Sequence, residues 1–148
     1  MATKQPKEDW WTSPAESESG ELIMVTGRRN MECVMNEGKF KYRAEIIWSY
    51  EGDKMGMPDI KTSTLMEEVQ DALQKEFIKD PVAYLTGIYT GANERDWVFY
   101  TLSTNIFQKK INEALMQFDI LPLKFKVVED PLWDEYREMK ETEILGND

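Results

Sequence analysis

Residues 40–50 read FKYRAEIIWSY. Phe40, Tyr42, Ala44, Ile46, Trp48 and Tyr50 alternate with Lys41, Arg43, Glu45, Ile47 and Ser49. That period of two is what a half-buried strand imposes, because successive side chains leave the backbone on opposite sides. This is the clearest strand of the chain, and its apolar face needs a cover.

The downstream sequence supplies one. Glu51-Gly52-Asp53 and Gly56-Met57-Pro58-Asp59 carry turn chemistry. Thr64-x-x-Glu67 then matches a helix capping box, with Leu65, Val69, Ala72 or Leu73, and Phe77 on one helical face, and Asp80-Pro81 as the stop. Residues 82–90 (VAYLTGIYT) and 97–102 (WVFYTL) are β-rich runs, read as a hairpin whose loop is longer than a tight turn. Ser103 or Thr104 caps a second helix, on which Phe107, Ile111, Ala114, Leu115 and Phe118 recur at spacings of three and four. Leu123, Phe125 and Val127 alternate with Lys124, Lys126 and Val128 as a last strand, and Asp130-Pro131 opens a terminal helix with Asp as cap. Upstream of Phe40, residues 21–27 (ELIMVTG) form a short apolar strand, preceded by a solvated acidic loop and the Trp10-Trp11 anchor pair.

The order is β, β, α, β, β, α, β, α, and its middle six elements spell the split-βαβ arrangement. The expected fold is therefore α+β, a ferredoxin-like (β-α-β-β-α-β) two-layer sandwich with an extra N-terminal strand and a C-terminal helix. The extra strand is expected beside the Phe40 strand, and the terminal helix across the end of the sheet. Residues 10–139 form the one domain, with flexible tails at 1–9 and 140–148.

Composition works by exclusion. Among 148 residues there are 18 Lys+Arg against 28 Asp+Glu, a net charge of −10, no histidine and one cysteine. A Ser-His-Asp or Cys-His catalytic pair, a His-ligated metal, a Cys-cluster zinc site and a disulfide scaffold each need residues that are missing. No catalytic residue, metal or cofactor is expected. The acidic balance argues against nucleic acid and anionic membranes, which are bound by neutralising phosphates with Lys and Arg. The first nine residues, MATKQPKED, contain no apolar signal region, and no stretch is long enough to span a bilayer, so a cytoplasmic location is expected.

Three motifs carry a family resemblance: Glu8-Asp9-Trp10-Trp11; Gly91 and three residues leading into Arg95-Asp96-Trp97-Val98-Phe99-Tyr100; and Glu129-Asp130-Pro131-x-Trp133-x-x-Tyr136. From about Trp10 to about Tyr136 the chain resembles the bacterial domain of unknown function 695. The resemblance implies no activity and no catalytic residues to carry over.

The remaining candidates are surface chemistry. Arg28, Arg29, Asn93 and Arg95 sit in or beside loops, where guanidinium forks read carboxylates and phosphates, and with Tyr100 they make a candidate anion site at a sheet end. Their simpler role is pairing with the abundant carboxylates. Trp133 and Tyr136 share a helix face, as a stacking platform or, more simply, as anchors of that helix on the sheet. Lys41 and Arg43, with Lys39, Lys124 and Lys126, lie on polar strand faces, the layout of sheet-type RNA binders but also of protected sheet edges. The hairpin presents either Tyr84, Thr86 and Ile88 or Leu85 and Tyr89 to that face, and the sequence leaves both open. Adjacent carboxylates such as Glu67-Glu68 and Asp134-Glu135 diverge by about 100° on a helix and do not converge on one atom. Cys33 has no histidine to activate it.

The leading expectation is a non-enzymatic interaction or regulatory domain acting through the sheet face, with an unknown protein partner or a second copy in a homodimer. The alternative is a small-ligand (anion) or enzymatic domain with a sheet-end pocket built from Arg95 and Tyr100.

Overall fold

The computed structural model describes residues 8–146. Its elements are β1 (Trp10–Glu16), β2 (Leu22–Arg28), α1 (Glu32–Asn36), β3 (Tyr42–Ser49), α2 (Ile60–Lys79), β4 (Ala83–Gly91), β5 (Glu94–Thr101), α3 (Thr104–Leu115), β6 (Leu123–Glu129) and α4 (Asp134–Gly146). All six strands pair antiparallel in the order β1-β2-β4-β5-β3-β6, so the fold is α+β.

The period-2 reading of β3 holds: Ala44, Ile46 and Trp48 are buried against α2 and α3, with Met66, Val69, Leu73, Phe107 and Ile111. Ser103 caps α3 as expected, accepting the Ile106 N–H at 3.2 Å. The α2 cap lies earlier than the capping box. Asp59 accepts the Thr62 N–H at 2.7 Å, while the Thr64 hydroxyl donates to the Ile60 carbonyl inside the helix.

Several other expectations are corrected. The strand over residues 22–28 pairs with β4 and β1, because both edges of β3 are taken by β5 and β6. Trp10–Glu16, read as an anchor and the start of a loop, is an edge strand, where Pro14 is tolerated because an outer strand leaves half its N–H groups unpaired. The β4–β5 connection is a tight two-residue turn: Gly91 pairs with Glu94, and Ala92 and Asn93 have φ of 50° and 67°, the left-handed values of a primed hairpin turn. A bulge at Thr86 breaks the strand period, so Leu85 and Ile88 join one core while Tyr84 and Tyr89 face the other side.

The last correction matters most. α4 does not close the sheet end; it packs on the second face, against β1, β2 and β4, and makes the fold three layers. Two glycines make room on this face, Gly27 for the Trp11 ring of β1 and Gly87 for Met139 of α4. A Cβ on Gly27 would stand 2.2 Å from the Trp11 ring, and one on Gly87 would stand 2.6 Å from Met139 Sδ. Trp11, Val25, Phe40, Val98, Tyr100, Trp133, Tyr136 and Met139 fill this second core. Where a flexible tail from residue 140 is expected, α4 continues to Gly146, with Lys140 paired to Glu32 and Arg29 to Glu143. Residues 1–7 of the expected N-terminal tail, and 147–148, lie outside the described residues.

Candidate functional site

Because α4 covers the β1-β2-β4 half of the second face, a step remains between its flank and the β5-β3-β6 half. The step is a cleft of about 410 Å³. Strand alternation fills its floor. Arg43 and Glu45 project from β3, Asp96 and Val98 from β5, Tyr89 from β4 and Lys126 from β6, with Asp134, Glu135 and Glu138 of α4 as the wall. The register sets Glu45 opposite both Val98 and Lys126, and Asp96 opposite Tyr89, so Glu45 and Asp96 are diagonal neighbours.

One side of the cleft is locked by a hydrogen-bond network. Arg43 reaches Glu45 Oε2 through Nε at 3.0 Å and Asp130 Oδ2 through Nη1 at 3.1 Å. Tyr100 donates to Asp130 Oδ2 at 2.8 Å, lies 3.2 Å from Glu135 Oε1, and accepts the Tyr136 N–H at 3.3 Å. Tyr89 donates to Glu135 Oε2. Asp130 also accepts the Asp134 N–H at 2.9 Å and the Glu135 N–H at 3.3 Å, so it satisfies the first donors of α4 from beyond a turn: the helix expected to open at Asp130-Pro131 starts at Asp134. Burial works to raise Asp130, but the amide of Asp134, the Tyr100 hydroxyl and Arg43 prevail and hold it below the usual carboxylate range.

The other side carries a strained charge balance. Burial, a hydrogen bond to Glu45 and the charges of Glu45 and Glu135 push Asp96 up to about 9. Burial opposes the ionisation of Glu45 too, yet the Asp96 proton and the cations Arg43 and Lys126 outweigh it and keep Glu45 below its usual value. At neutral pH Asp96 is thus the neutral acid and Glu45 the carboxylate of a pair sharing one proton. Asp96 Oδ1 is buried with no hydrogen-bond partner among the described residues. Glu135 is raised, chiefly by burial. The cleft therefore offers an acceptor, a transferable proton and an excess of carboxylates over cations. Among the described residues no group of three or more carboxylates or thiols is placed to hold a metal ion.

The sequence candidates scatter. Arg95 and Tyr100 are five residues apart on β5 and project from opposite faces, so no pocket joins them. Arg95 donates to Thr90 Oγ1 at 2.9 Å on the first face, whereas Tyr100 lies in the second core. Arg28 and Arg29 stand at the end of the sheet where β2 finishes, and Asn93 stands at the other, in the hairpin turn. Arg29 is held by Glu143, Asp9 and the Trp10 carbonyl. Asn93 fastens the loop before α2: its Oδ1 accepts the Gly52 N–H at 3.1 Å and its own N–H donates to Gly56. Lys41 is exposed just before β3, outside the cleft, and its carbonyl accepts the Asp130 N–H. Trp133 and Tyr136 are each 1% exposed, so they are anchors and not a platform. Trp133 stacks on Tyr100 at 4.1 Å and donates to the Phe40 carbonyl at 2.8 Å, while Tyr136 donates to the Arg28 carbonyl at 2.6 Å.

Of the candidate site residues Arg43 lines the cleft and Tyr100 stands in the network at its side, joined by Lys126 of the polar strand face. Glu45 stood in the alternation of residues 40–50 all along. Asp96 was hidden because the residues before Trp97 read as loop.

A family model described as "Family of unknown function (DUF695)" matches residues 9–139. No curated protein and no solved structure matches the chain significantly.

Proposed function

Because the chain belongs to the family of unknown function DUF695, its role has to be read from its own geometry, and we propose a non-enzymatic binding domain. Its cleft receives a cationic side chain, Lys or Arg, from a basic segment of a partner protein. One observation carries this reading: the Glu45–Asp96 pair shares a proton while Asp96 Oδ1 is buried without a partner among the described residues. An ammonium or guanidinium donor at Oδ1 satisfies that atom, and its charge expels the shared proton, which leaves two carboxylates facing one cation. The net charge of −10 steers basic partners toward the domain and nucleic acid away from it.

The reading treats β3-α2-β4-β5-α3-β6 as a ferredoxin-like core, supported by the strand order β4-β5-β3-β6. It places the domain in the cytoplasm, supported by an exposed free thiol at Cys33. No helix among the described residues is long and apolar enough to cross a membrane. A second copy is the other partner to test. The outer edge of β6 has no neighbouring strand among the described residues, and Phe125 and Val127 on it are 44% and 47% exposed.

Titration with an oligoarginine peptide and with its isosteric, neutral oligocitrulline counterpart tests the proposal. Saturable binding of oligoarginine alone, weakened about tenfold by Glu45→Gln, is expected. Equal binding of both peptides, or binding indifferent to Glu45→Gln, overturns it. Sedimentation at increasing concentration decides whether copies associate through β6.

A further inference from the structure

At the hairpin end of the second face, Ala15 on β1, Ile23 on β2, Gly91 on β4 and Glu94 on β5 stand side by side in the strand register. Gly91 has no side chain, so this row stays low between Ile23 and Glu94. Two hollows result. One, of about 300 Å³, lies over Ile23, Gly91 and Asp96. The other, of about 320 Å³, lies between Ala15, Ile23 and Val25 on the strands and Met139 and Thr142 on α4.

Both hollows join the carboxylate cleft. Tyr89 lines all three, Asp96 is shared by the cleft and the first hollow, and Glu135 and Glu138 are shared by the cleft and the second. Together they make one trough along the flank of α4, from Lys126 on β6 to Ala15 on β1. Its two ends differ in chemistry. The β1 end has an apolar floor of Ala15, Ile23, Val25 and Met139, ringed by Glu16, Glu135 and Glu138, and no Lys or Arg lines it among the described residues. The β5 end holds Asp96, whose Oδ1 is buried without a hydrogen-bond partner among the described residues. A complementary ligand carries a cation at one end, an apolar group at the other and no anion between them.

The separation of the ends decides what can carry both groups. Asp96 pairs with Tyr89 and Tyr89 with Val25, so β5 and β2 lie two strand spacings apart, about 10 Å, with β1 at about 14 Å. An extended peptide advances about 3.3 Å per residue, so four residues cover about 13 Å, and an even number keeps both side chains facing the sheet.

We propose that the trough binds an extended segment of a partner protein in which an apolar residue, Leu, Ile or Met, stands four places from the Lys or Arg held at Glu45 and Asp96. The inference rests on the cation-binding reading of the cleft and adds a second subsite that a cation alone does not fill.

The probes are capped nine-residue Gly/Ser peptides, titrated into the full chain and followed by NMR shifts. One has a central Arg and Leu at both ends, which serves either chain direction; a second has Ser for both Leu, and a third has citrulline for Arg. The Leu peptide is expected to bind about tenfold more tightly than the Ser peptide and to shift the Ile23 and Met139 methyls as well as the Asp96 amide that both peptides move. Ile23→Thr, which keeps a β-branched side chain at a half-buried strand position, brings the Leu peptide to the Ser level and leaves the Ser peptide unchanged. If Ile23→Thr does not fold, Ala15→Gln on the edge strand β1 reads the same loss. Equal binding of the Leu and Ser peptides, or Leu binding undiminished in a folded variant, overturns the trough and leaves the cation cleft standing. Equal binding of the citrulline peptide overturns both. Absence of saturation by the Leu peptide overturns the trough, and oligoarginine binding then decides whether the cleft reading survives. Octylamine bound as tightly as the Leu peptide makes the occupant a small amphiphilic amine and also overturns the proposal.

Discussion

Asp96 on β5 gives its proton to a hydrogen bond with Glu45 on β3, and the pair sits where α4 stops covering the sheet. Two acidic side chains this close cannot both ionise cheaply in a half-buried cleft, so one stays neutral until a cation arrives.

Asp96 titrates near 3.8 when unfolded and at about 9 in the fold, so the native state holds the extra proton between those values. Its contribution is complete below the lower value and is lost as pH rises through the upper one. Urea unfolding midpoints should fall between about pH 6 and pH 9, and Asp96→Asn should flatten that slope. Asp130 behaves oppositely: its lowered value adds stability above 3.8 that disappears as the pH drops through the folded value.

Asp130 holds the α4 start, Tyr100 and Arg43 together. Asp130→Ala removes the acceptor of a helix cap and leaves a buried tyrosine hydroxyl to find another partner. A loss of about 1–3 kcal/mol is expected from denaturant unfolding. Since Asp130 bridges to Arg43, the same variant should also loosen the cleft, seen as amide shifts at Glu45 and Lys126.

Trp133 is the pin of the second core, stacked on Tyr100 and donating to Phe40. Trp133→Ala should cost about 3–5 kcal/mol, measured by chemical unfolding. Tyr136→Phe, which loses only the hydrogen bond to the Arg28 carbonyl, should cost about 1 kcal/mol.

Gly27 tests the seating of Trp11. Its ideal Cβ position is 2.2 Å from Trp11 Cη2, deep inside contact distance. Gly27→Ala should therefore destabilise by about 1–3 kcal/mol, because the indole has to move within a filled core. A thermal melt comparing Gly27→Ala with wild type reads this directly.

Much of the first core was legible in the sequence. The alternation over residues 40–50 and the helical spacing of Val69, Leu73, Phe77, Phe107 and Ile111 are periodic, and periodicity survives translation into burial. Several features were not legible, for physical reasons. The Ala92-Asn93 turn lacks the Asn-Gly signature, so a tight hairpin read as a loop, and with it the register that puts Asp96 on β5 vanished. The bulge at Thr86 shifts the strand period by one residue, which no alternation pattern announces. The second core depends on Gly27 and Gly87 leaving room for Trp11 and Met139, a complementarity between distant positions. The candidate site followed the same rule. Neighbouring carboxylates on helices diverge, while Glu45 and Asp96, fifty-one positions apart, meet only through strand pairing.

The most direct test counts protons. Calorimetric titration of oligoarginine into the protein at pH 7, repeated in buffers of different ionisation enthalpy, measures the protons exchanged on binding. Release of up to about one proton is expected, abolished by Asp96→Asn, with affinity rising as pH approaches 9. Binding with no proton release, unchanged in Asp96→Asn, would contradict it.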